Sequence, residues 1–585
     1  MERKQVISLL MNGRLKLATV SGVLTTRPGI ITAVDENLPA VDVITTKSYQ
    51  VNPNHGNPEP VIVEVSAGNF GNSVGLRNPG MKQGIRELRE MRNKHDFRAL
   101  LNVSISGSTP DEFQQLAEVF SEVADILELN LSCPHAAPGY GMSIGTDPAL
   151  VAEYVAAVRK LTDRPIFPKL TPNVENIGEI ALAAVQAGAD GICAINTVGP
   201  ELYIEPYSGK PVLMNQRGNR GGKSGTWIAD TARKKISEIR SAVGPNVPII
   251  GIGGVSSGED VKRLSLAGAN VVGIGSVFAR VKPENWRRFT DSLVEDALHN
   301  TNRAVQYVSD ERLMEYRPFS VKRIESGGHG TVVVELNGEM DFKSSQFAFL
   351  WIPEIGEKPF SIAHESPLTF FIKDRGPVSG AICDLKAGDT VFVRGVYGHS
   401  APLTNKDHAY ILAGGTGIAV AHKLVKELAA HGTQCTIYYA TSHKHNILVP
   451  PGLDDTAVLN LIPDEGLPAR AIYSWRDEIE RTGALEKGDE KPWALYTIGP
   501  PDYMRRAVEI AEQHGARPED IYLSVETATH CGIGLCGECE CGGKLTCQEG
   551  TFFTKEFFDK KGIEIADLPS HHASISKIGV SNHAI

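Results

Sequence analysis

The sequence has 585 residues, of which 42% are apolar and 22% are charged, and its formal net charge is −10. This length is too great for a single hydrophobic core, so we expect three or four domains. The acidic balance argues against a nucleic-acid partner, and no apolar run is long enough to cross a bilayer. Asn12, Arg14 and Lys16 interrupt the N-terminal apolar stretch before it reaches the length of a secretory signal. We therefore expect a cytoplasmic protein with no membrane partner.

Between about residues 60 and 300, short apolar runs alternate with amphipathic helical patterns. The predicted strands include ILELN (126–130), IFPKL (166–170), GICAIN (191–196), PIIGIGG (248–254) and VVGIGS (271–276). Repeated strand–helix units indicate a parallel sheet with helical crossovers. The runs end in polar residues or glycine, which is where a (β/α)8 barrel places its ligand-binding loops. We predict a TIM barrel over residues 1–302, and an open doubly wound sheet is the alternative.

The pattern changes after a predicted linker at residues 303–314. The segments TVVVEL, FAFLWI, LTFFIK and TVFVRG are short strands separated by polar turns, which predicts an antiparallel β-barrel over residues 315–403. A strand, a glycine turn and a helix then return in HAYILAGGTGIAVAHKLVKELAAHG, which predicts an α/β nucleotide-binding domain over residues 404–520. Residues 521–585 form a cysteine-rich domain and a polar tail.

Cys133 follows the predicted strand ILELN, in the stretch LELNLSCPH. Taken alone, it is either a packing residue or a catalytic one. A cysteine thiol, with an ordinary pKa of about 8.5, serves as a general base where its surroundings favour the thiolate. His135, two positions on, is either a hydrogen-bonding group or a second residue that titrates near neutral pH.

Five of the nine cysteines crowd one segment, HCGIGLCGECECGGKLTC. Cys531, Cys536, Cys539 and Cys547 follow the C-x4-C-x2-C…C spacing of plant-type [2Fe–2S] proteins. Zinc also takes four thiolates, but structural zinc sites usually show two C-x2-C pairs, and here there is one. The spacing therefore favours an iron–sulfur cluster. Cys541 is interpreted as a buried thiol.

A second glycine-rich turn follows an apolar strand and opens a helix, in LAGGTGIA (412–419). Backbone N–H groups at such a turn bind phosphate with the help of the helix dipole. The alternative is a tight strand–helix turn without a ligand. We predict that Gly414, Gly415, Thr416 and Gly417 bind the phosphate of a nucleotide.

The N-terminal 300 residues resemble the class 1 dihydroorotate dehydrogenases nearly from end to end. The motifs that carry the resemblance are TTKS (45–48), NSVGLRNPG (72–80), ELNLSCPH (128–135), PKLTPNV (168–174), INT (195–197), GGKSG (221–225), GIGG (251–254) and GIGS (273–276). Several spaced motifs in one order are more specific than any one of them. The resemblance implies bound FMN, Cys133 as the base and dihydroorotate as the substrate.

The resemblance and the residue chemistry together predict two sets of ligand-binding residues. For FMN they are Ser21, Lys47, Ser48, Asn130, Lys169, Ile195, Gly225, Gly253, Gly254, Gly275 and Ser276. For the substrate they are Lys47, Asn72, Ser73, Val74, Gly75, Leu76, Asn130, His135, Asn196 and Thr197. Late glycine-ended strands suit a phosphate, and the charge of Lys169 suits the anionic edge of a reduced flavin. As the alternative, Lys169 is a solvated lysine of the barrel rim.

The remaining chain resembles the ferredoxin-reductase-like electron-transfer subunit of the class 1B dihydroorotate dehydrogenases. In that group the β-barrel holds FAD and the α/β domain binds NAD(P)H, which implies that the turn at Gly414, Gly415, Thr416 and Gly417 binds NAD. KPFSIA (358–363) matches its R-P-F-S motif with lysine in place of arginine, which implies FAD contacts from Lys358, Pro359, Phe360 and Ser361. Val378 and Ser379 correspond to its residues at the FAD diphosphate. The sequence thus resembles the two class 1B subunits fused in one chain.

The predicted function is oxidation of dihydroorotate to orotate coupled to NAD+ reduction in pyrimidine biosynthesis. Electrons would pass from FMN through the [2Fe–2S] cluster and FAD to NAD+ in a homodimer of the chain. One alternative is a dihydropyrimidine dehydrogenase acting on uracil or thymine, a family that shares the S-C-P-H and K-L-T-P-N-V motifs. NSVGL favours orotate because it offers N–H donors to a carboxylate. The other alternative is an electron-transfer module that serves a separate partner.

Overall fold

The computed structural model describes residues 1–132, 142–328, 330–441, 448–463, 470–481 and 493–568. The chain divides into two compact units. The first unit comprises Met1–Glu315 together with Ile533–Lys544, and the second comprises Tyr316–Gly532 together with the chain from Leu545 onward.

The first unit contains a closed barrel of eight parallel strands, so the predicted barrel is confirmed and the open sheet is excluded. The strand Ile126–Asn130 is buried at every position, as expected where helices cover a parallel sheet. The predicted strand ends agree with the observed ones to within two residues. The eight strands are Leu17–Thr19, Val41–Thr45, Leu100–Ile105, Ile126–Asn130, Ile166–Leu170, Ile192–Ala194, Ile249–Ile252 and Val271–Ile274.

One helix follows each strand before the next one begins, and the N-terminal helix Arg3–Met11 precedes the first. Local capping explains several helix starts. The Thr109 side chain accepts a hydrogen bond from the backbone N–H of Glu112, and Asp147 does the same for Ala149. The helices are Pro28–Asn37, Met81–Lys94, Pro110–Phe120, Pro148–Arg159, Ile177–Gln186, Ala229–Val243, Gly258–Leu266 and Trp286–His299, with the short Met142–Gly145 and the 3₁₀ turns Thr226–Ile228, Ser276–Arg280, Pro283–Asn285 and Ala304–Tyr307.

Two long insertions between barrel strands and helices join in a four-stranded antiparallel sheet, which the sequence analysis did not predict. The strands Ile62–Ser66 and Asn69–Asn72 come from the first insertion. Val198–Leu202 and Arg220–Gly225 come from the second. Asn69–Asn72 pairs with Arg220–Gly225, so residues about 150 positions apart lie in one hydrogen-bonded register.

The second unit contains a closed barrel of six antiparallel strands, which confirms the predicted β-barrel. The buried ion pair between Arg394 and Glu357 is a part of this barrel, and both side chains are fully buried. The strands are Arg317–Gly328, Thr331–Leu336, Phe347–Ile352, Gly356–Glu365, Leu368–Lys373 and Thr390–Tyr397, and the helix Pro377–Cys383 lies between the last two.

A six-stranded sheet follows the antiparallel barrel in the second unit. Five of its strands are parallel, and only Phe552–Thr554 runs antiparallel to its neighbour. In order across the sheet, the strands are Val458–Pro463, Gln434–Thr441, His408–Gly414, Trp493–Ile498, Ile521–Ser524 and Phe552–Thr554. The helices are Ala421–Ala430, Arg470–Arg481, Pro501–Gln513 and Lys555–Lys561, with the 3₁₀ turns Gly415–Val420, Pro518–Asp520 and Ile565–Asp567.

The cysteine-rich segment carries little regular structure, with the two-residue strands Glu540–Cys541 and Lys544–Leu545 and the helical turn Thr546–Glu549. In the part of the chain that the structure describes, no helix is both long enough and apolar enough to cross a membrane.

Candidate functional site

One cavity in the first unit lies at the carboxyl ends of the barrel strands. Every residue predicted to bind FMN lines it, and so do all predicted substrate residues except Ser73 and the undescribed His135. The further lining residues are Val20, Gly22, Val23, Ile62, Phe70, Ser224, Ile228, Ile252, Val255, Gly273, Leu535 and Cys536. The structure thus brings together motifs that are spread over more than 250 positions of the sequence.

A chain of hydrogen bonds orients the side-chain amides on one side of the cavity. Asn130 donates from Nδ2 to the Ser48 hydroxyl over 2.9 Å. Asn196 donates to the Ser132 hydroxyl over 2.8 Å, and Ser132 donates in turn to Oδ1 of Asn130 over 3.3 Å. The two amides are therefore held in fixed orientations, as a site that recognises a planar polar ring requires.

Lys169 ends a barrel strand and is only 6% exposed, which does not fit a solvated lysine of the barrel rim. Its Nζ lies 3.8 Å from Oε1 of Glu128, and the Glu128 side chain is fully buried and accepts a hydrogen bond from Ser104.

Burial and the adjacent Glu128 carboxylate raise the pKa of the Cys193 thiol well above its ordinary value. Cys193 is therefore a neutral thiol and unsuited to act as a base at neutral pH.

Two glycine-rich turns end the late strands Ile249–Ile252 and Val271–Ile274. Gly253 and Gly254 adopt φ values of +137° and +73°. A Cβ at Gly254 would lie 2.6 Å from that of Ala229, so only glycine fits there. The 3₁₀ turn Ser276–Arg280 begins at the second glycine turn, and its first N–H groups have no partner within the turn. This donor set fits the phosphate of a flavin nucleotide.

The predicted carboxylate-binding segment, NSVGL, has some residues that line the cavity and one that packs behind the cavity wall. Val74, Gly75 and Leu76 line the cavity. Ser73 is fully buried, its N–H donates to the Val61 carbonyl over 2.8 Å, and its hydroxyl accepts from Asn57 over 2.9 Å. Ser73 therefore fixes the shape of the segment and does not line the cavity.

Cys133 and His135, the predicted base and its neighbour, lie outside the described residues. The strand that leads to them is described, and it ends at Asn130 on the cavity. Their roles remain predictions from the sequence.

The C-terminal segment Ile533–Lys544, which we call the cysteine loop, belongs to the first unit. Its residues Leu535 and Cys536 line the cavity, a role that the sequence analysis missed. The hydroxyl of Thr26 donates to the carbonyl of Cys536 over 2.6 Å, across 510 positions of sequence. No local sequence pattern reports a contact over such a separation.

The four predicted cluster cysteines are buried. Cys536 is 6% exposed, Cys539 and Cys547 are 1% exposed, and Cys531 is 0% exposed. The segment from Cys531 to Cys539 contains three glycines with positive φ, Gly532, Gly534 and Gly537, and they let the backbone turn tightly. Within the described ranges, no group of three or more His, Cys, Asp or Glu side chains is placed to hold a metal ion. The cluster ligands therefore stay a prediction. Burial and then Glu540 raise the pKa of Cys541 to about 12, in keeping with its interpretation as a buried thiol.

The predicted FAD residues lie on two elements of the second unit. Lys358, Pro359, Phe360 and Ser361 belong to the strand Gly356–Glu365, and Lys358 is exposed. Val378 and Ser379 lie in the first turn of the helix Pro377–Cys383. The Ser379 hydroxyl accepts from the Arg375 N–H over 2.8 Å and donates to the Gly376 carbonyl over 3.1 Å, so it also stabilises this turn.

The predicted NAD residues lie where the strand His408–Gly414 passes into the 3₁₀ turn Gly415–Val420 and the helix Ala421–Ala430. This strand pairs with Gln434–Thr441 on one side and with Trp493–Ile498 on the other. The strands that follow it in sequence are therefore added first on one side of it and then on the other. Nucleotides bind at such a switch point in open α/β sheets. A Cβ at Gly417 would lie 2.7 Å from Cγ2 of Ile498, so glycine is required by packing as well.

Comparison with known proteins gives one family for the first unit. The family model described as dihydroorotate dehydrogenase matches residues 20–296. The catalytic subunit of dihydroorotate dehydrogenase B (NAD(+)) from Pyrococcus abyssi is 45% identical over 233 residues, which are 40% of this chain and 74% of the relative. The subunit of the same name from Methanopyrus kandleri is 40% identical over 44% of this chain and 80% of the relative. The subunit of that name from Bacillus pumilus is 40% identical over 41% of this chain and 75% of the relative.

Proposed function

The chain belongs to the dihydroorotate dehydrogenase family, and we propose that it oxidises dihydroorotate to orotate in pyrimidine biosynthesis, with NAD+ as the final acceptor. The observation that carries the proposal is the single cavity at the barrel rim, which collects the predicted flavin and substrate residues from widely separated motifs. The relatives bear the name of a catalytic subunit that uses NAD+.

The residues of the cavity fit FMN. Positive-φ glycines and the backbone N–H groups at the start of the turn Ser276–Arg280 suit its phosphate, and the buried side chain of Lys169 suits the polar edge of its ring system. Bound FMN would supply the acceptor for the hydride that leaves C6 of dihydroorotate.

The side chains of the cavity, together with Cys133 from the sequence motif, account for the remaining requirements of the reaction. The amides of Asn72, Asn130 and Asn196 bind and orient the substrate ring, and the N–H groups of residues 74–76 bind its carboxylate. Cys133 Sγ removes the proton from C5 on the ring face opposite the hydride acceptor. Asn72 donates hydrogen bonds to the Gly222 carbonyl and the Ser224 hydroxyl, so its side-chain amide is already oriented before the substrate binds.

We further propose that the chain beyond residue 315 carries the electron-transfer groups. Lys358–Ser361 and residues 378–379 would hold FAD, the turn at Gly414–Gly417 would bind NAD, and Cys531, Cys536, Cys539 and Cys547 would hold a [2Fe–2S] cluster. The antiparallel barrel, the switch point at Gly414 and the burial of the four cysteines support this set. The holoenzyme is proposed to be a homodimer.

The test of the reaction is steady-state turnover of the purified protein with dihydroorotate and NAD+, followed by the absorbance of orotate and NADH. We expect both products in equal amounts, and comparison with NADP+ and fumarate identifies the acceptor. If neither product forms, the proposal fails. If dihydrouracil is oxidised and dihydroorotate is not, the protein is a dihydropyrimidine dehydrogenase.

The electron-transfer proposal has a separate test in Cys536→Ser. Loss of one thiolate should remove the visible spectrum and the iron of the cluster and stop NAD+ reduction by dihydroorotate. Iron content equal to that of the wild type would exclude Cys536 as a ligand, without bearing on the reaction at the barrel.

A further inference from the structure

The carboxylate of Glu538, in the cysteine loop, lies between two cationic residues of the barrel. Its Oε1 accepts from Lys47 Nζ over 3.1 Å, and its Oε2 accepts from Arg27 over 3.1 Å. The side chain of Glu538 is 7% exposed and that of Lys47 is 10% exposed, whereas Arg27 is 39% exposed. The pair between Glu538 and Lys47 is therefore the buried half of this network.

Lys47 follows the barrel strand Val41–Thr45 and lines the cavity. A lysine ammonium is a point charge on four rotatable bonds, so its position is set by the group that binds it. Among the described residues, Glu538 is the acidic partner recorded for Lys47. The place of the Lys47 charge in the cavity therefore depends on a residue 491 positions away in the sequence.

The backbone around Glu538 is itself held against the barrel. Thr26 donates to the carbonyl of Cys536, and the Gly543 N–H donates to Glu540 Oε1 over 2.7 Å within the cysteine loop. A Cβ at Gly537 would lie 3.3 Å from Thr26, so the loop backbone approaches the barrel closely at this point. A carboxylate on such a fixed backbone presents its oxygens in a defined direction, which a solvent-exposed glutamate does not.

We propose that Glu538 is a positioning residue for Lys47, so that the cysteine loop sets the charge that the cavity presents to the anionic substrate. The inference rests on the proposed function, because it concerns the binding of orotate and dihydroorotate. Two cations share one carboxylate, so the network keeps a net positive charge beside the cavity. Removing the negative charge leaves the Lys47 ammonium buried without its counter-charge, and the ammonium then leaves its place at the cavity wall.

A double-mutant cycle on the holoenzyme tests the coupling, with the equilibrium dissociation constant of orotate measured by titration calorimetry. The four proteins are the wild type, Lys47→Met, Glu538→Gln and the double variant. Since loss of a hydrogen bond to a charged group weakens binding by about tenfold or more, we expect each single variant to bind orotate at least about tenfold more weakly. The double variant should be no weaker than Lys47→Met, because both changes disable the same group.

Two further variants separate positioning from general damage to the cysteine loop. Glu540→Gln changes a carboxylate of the same loop that hydrogen-bonds the Gly543 N–H, and it should bind orotate as the wild type does. Glu538→Asp keeps the charge and should lie nearer to the wild type than Glu538→Gln does. The FMN content and the melting temperature of each variant show whether the fold is intact.

The outcomes distinguish this inference from the function on which it rests. If the wild type binds orotate and Glu538→Gln binds it equally well, or if the two single effects multiply in the double variant, Glu538 does not position Lys47. The same conclusion follows if Glu540→Gln weakens orotate as much as Glu538→Gln does. If the wild type neither binds nor produces orotate, the proposed function itself is wrong, and the inference falls with it.

Discussion

The two units differ in how they gather the residues that the sequence marks as ligand-binding. In the first unit, strands and loops from the whole barrel converge on one cavity, because all eight strands of a closed parallel barrel end at one rim. In the second unit, the corresponding residues lie on a barrel strand, on a short helix and on a turn of the mixed sheet. A closed parallel barrel thus brings distant motifs to one cavity, whereas the second unit leaves its predicted ligand-binding residues on separate elements.

The largest effect is expected when the proposed base of the barrel site is removed. Cys133→Ser replaces the proposed base by a hydroxyl that does not ionise at neutral pH, so flavin reduction by dihydroorotate should slow by about 10²- to 10⁴-fold. Reduction of the protein by NADH, which depends on the second unit, should keep its wild-type rate. Stopped-flow absorbance measures both reactions, and equal losses in the two would show that Cys133 has no specific role at the barrel site.

The next effect concerns the stability of the second unit. Arg394 pairs with Glu357 through two hydrogen bonds of 2.6 and 2.8 Å, and both side chains are fully buried. Arg394→Met leaves the Glu357 carboxylate buried without its partner and should lower the free energy of unfolding by about 3–5 kcal/mol. Urea denaturation measures the change. The surface variant Arg323→Met, whose side chain is 53% exposed, is the control and should change the free energy of unfolding far less than Arg394→Met does. Equal losses in the two variants would contradict the structural importance of the buried pair.

A smaller effect is expected at the turn of the mixed sheet. In Gly417→Ala, the added Cβ meets Cγ2 of Ile498 at 2.7 Å, and overpacking of this kind costs about 1–3 kcal/mol. The melting temperature should fall, and NADH should bind more weakly because the turn is displaced. Gly414→Ala is the matched comparison for stability, since its Cβ meets the Ile498 carbonyl at an ordinary 3.8 Å. A Gly417→Ala protein as stable as Gly414→Ala would contradict the crowding at this turn.

The smallest effect is a pH dependence of the second unit. Burial, with smaller contributions from Lys426 and His364, lowers the pKa of His422 to about 4, although Glu365 opposes the shift. Between pH 6.5 and 4 the unfolded chain binds a proton at this histidine and the folded chain does not, so stability falls as the pH falls through this range. By pH 5 the loss should be about 1–2 kcal/mol, less than the full shift implies, because pH 5 covers only part of the range between the two pKa values.

The variant His422→Phe removes this titration. The drop in melting temperature between pH 7.5 and 5 should be smaller for this variant than for the wild type. His431→Gln, at an exposed position at the end of the same helix, should leave the pH dependence unchanged. An unaltered drop in His422→Phe would show that other groups cause it.

Much of the fold could be predicted from the sequence because the elements are encoded locally. ILELN and IFPKL are continuous apolar runs with polar ends, and both strands were predicted to the residue. The antiparallel strands TVVVEL, FAFLWI and LTFFIK were predicted to the residue as well. The cavity residues were predicted from family motifs, since local patterns alone give no reason to place Asn72 near Asn196.

The rest could not be predicted because it depends on contacts between distant segments. The four-stranded sheet joins two insertions, and no local sequence pattern indicates that Asn69–Asn72 pairs with Arg220–Gly225. The pairing of Glu538 with Lys47 joins residues whose local sequences contain no information about each other. Ser73 was predicted as a ligand-binding residue within NSVGL, and its inward hydrogen bonds to Val61 and Asn57 depend on a neighbouring loop.

The four-stranded sheet has a consequence for the motion of the cavity wall. The strands Asn69–Asn72 and Arg220–Gly225 carry Asn72 and Gly225 to the cavity and are joined by a ladder of main-chain hydrogen bonds. Neither insertion can move alone without breaking that ladder, so we expect the two insertions to move together. The amide protons of the two strands should therefore exchange with solvent at a common rate, and a ligand that slows exchange in one insertion should slow it equally in the other.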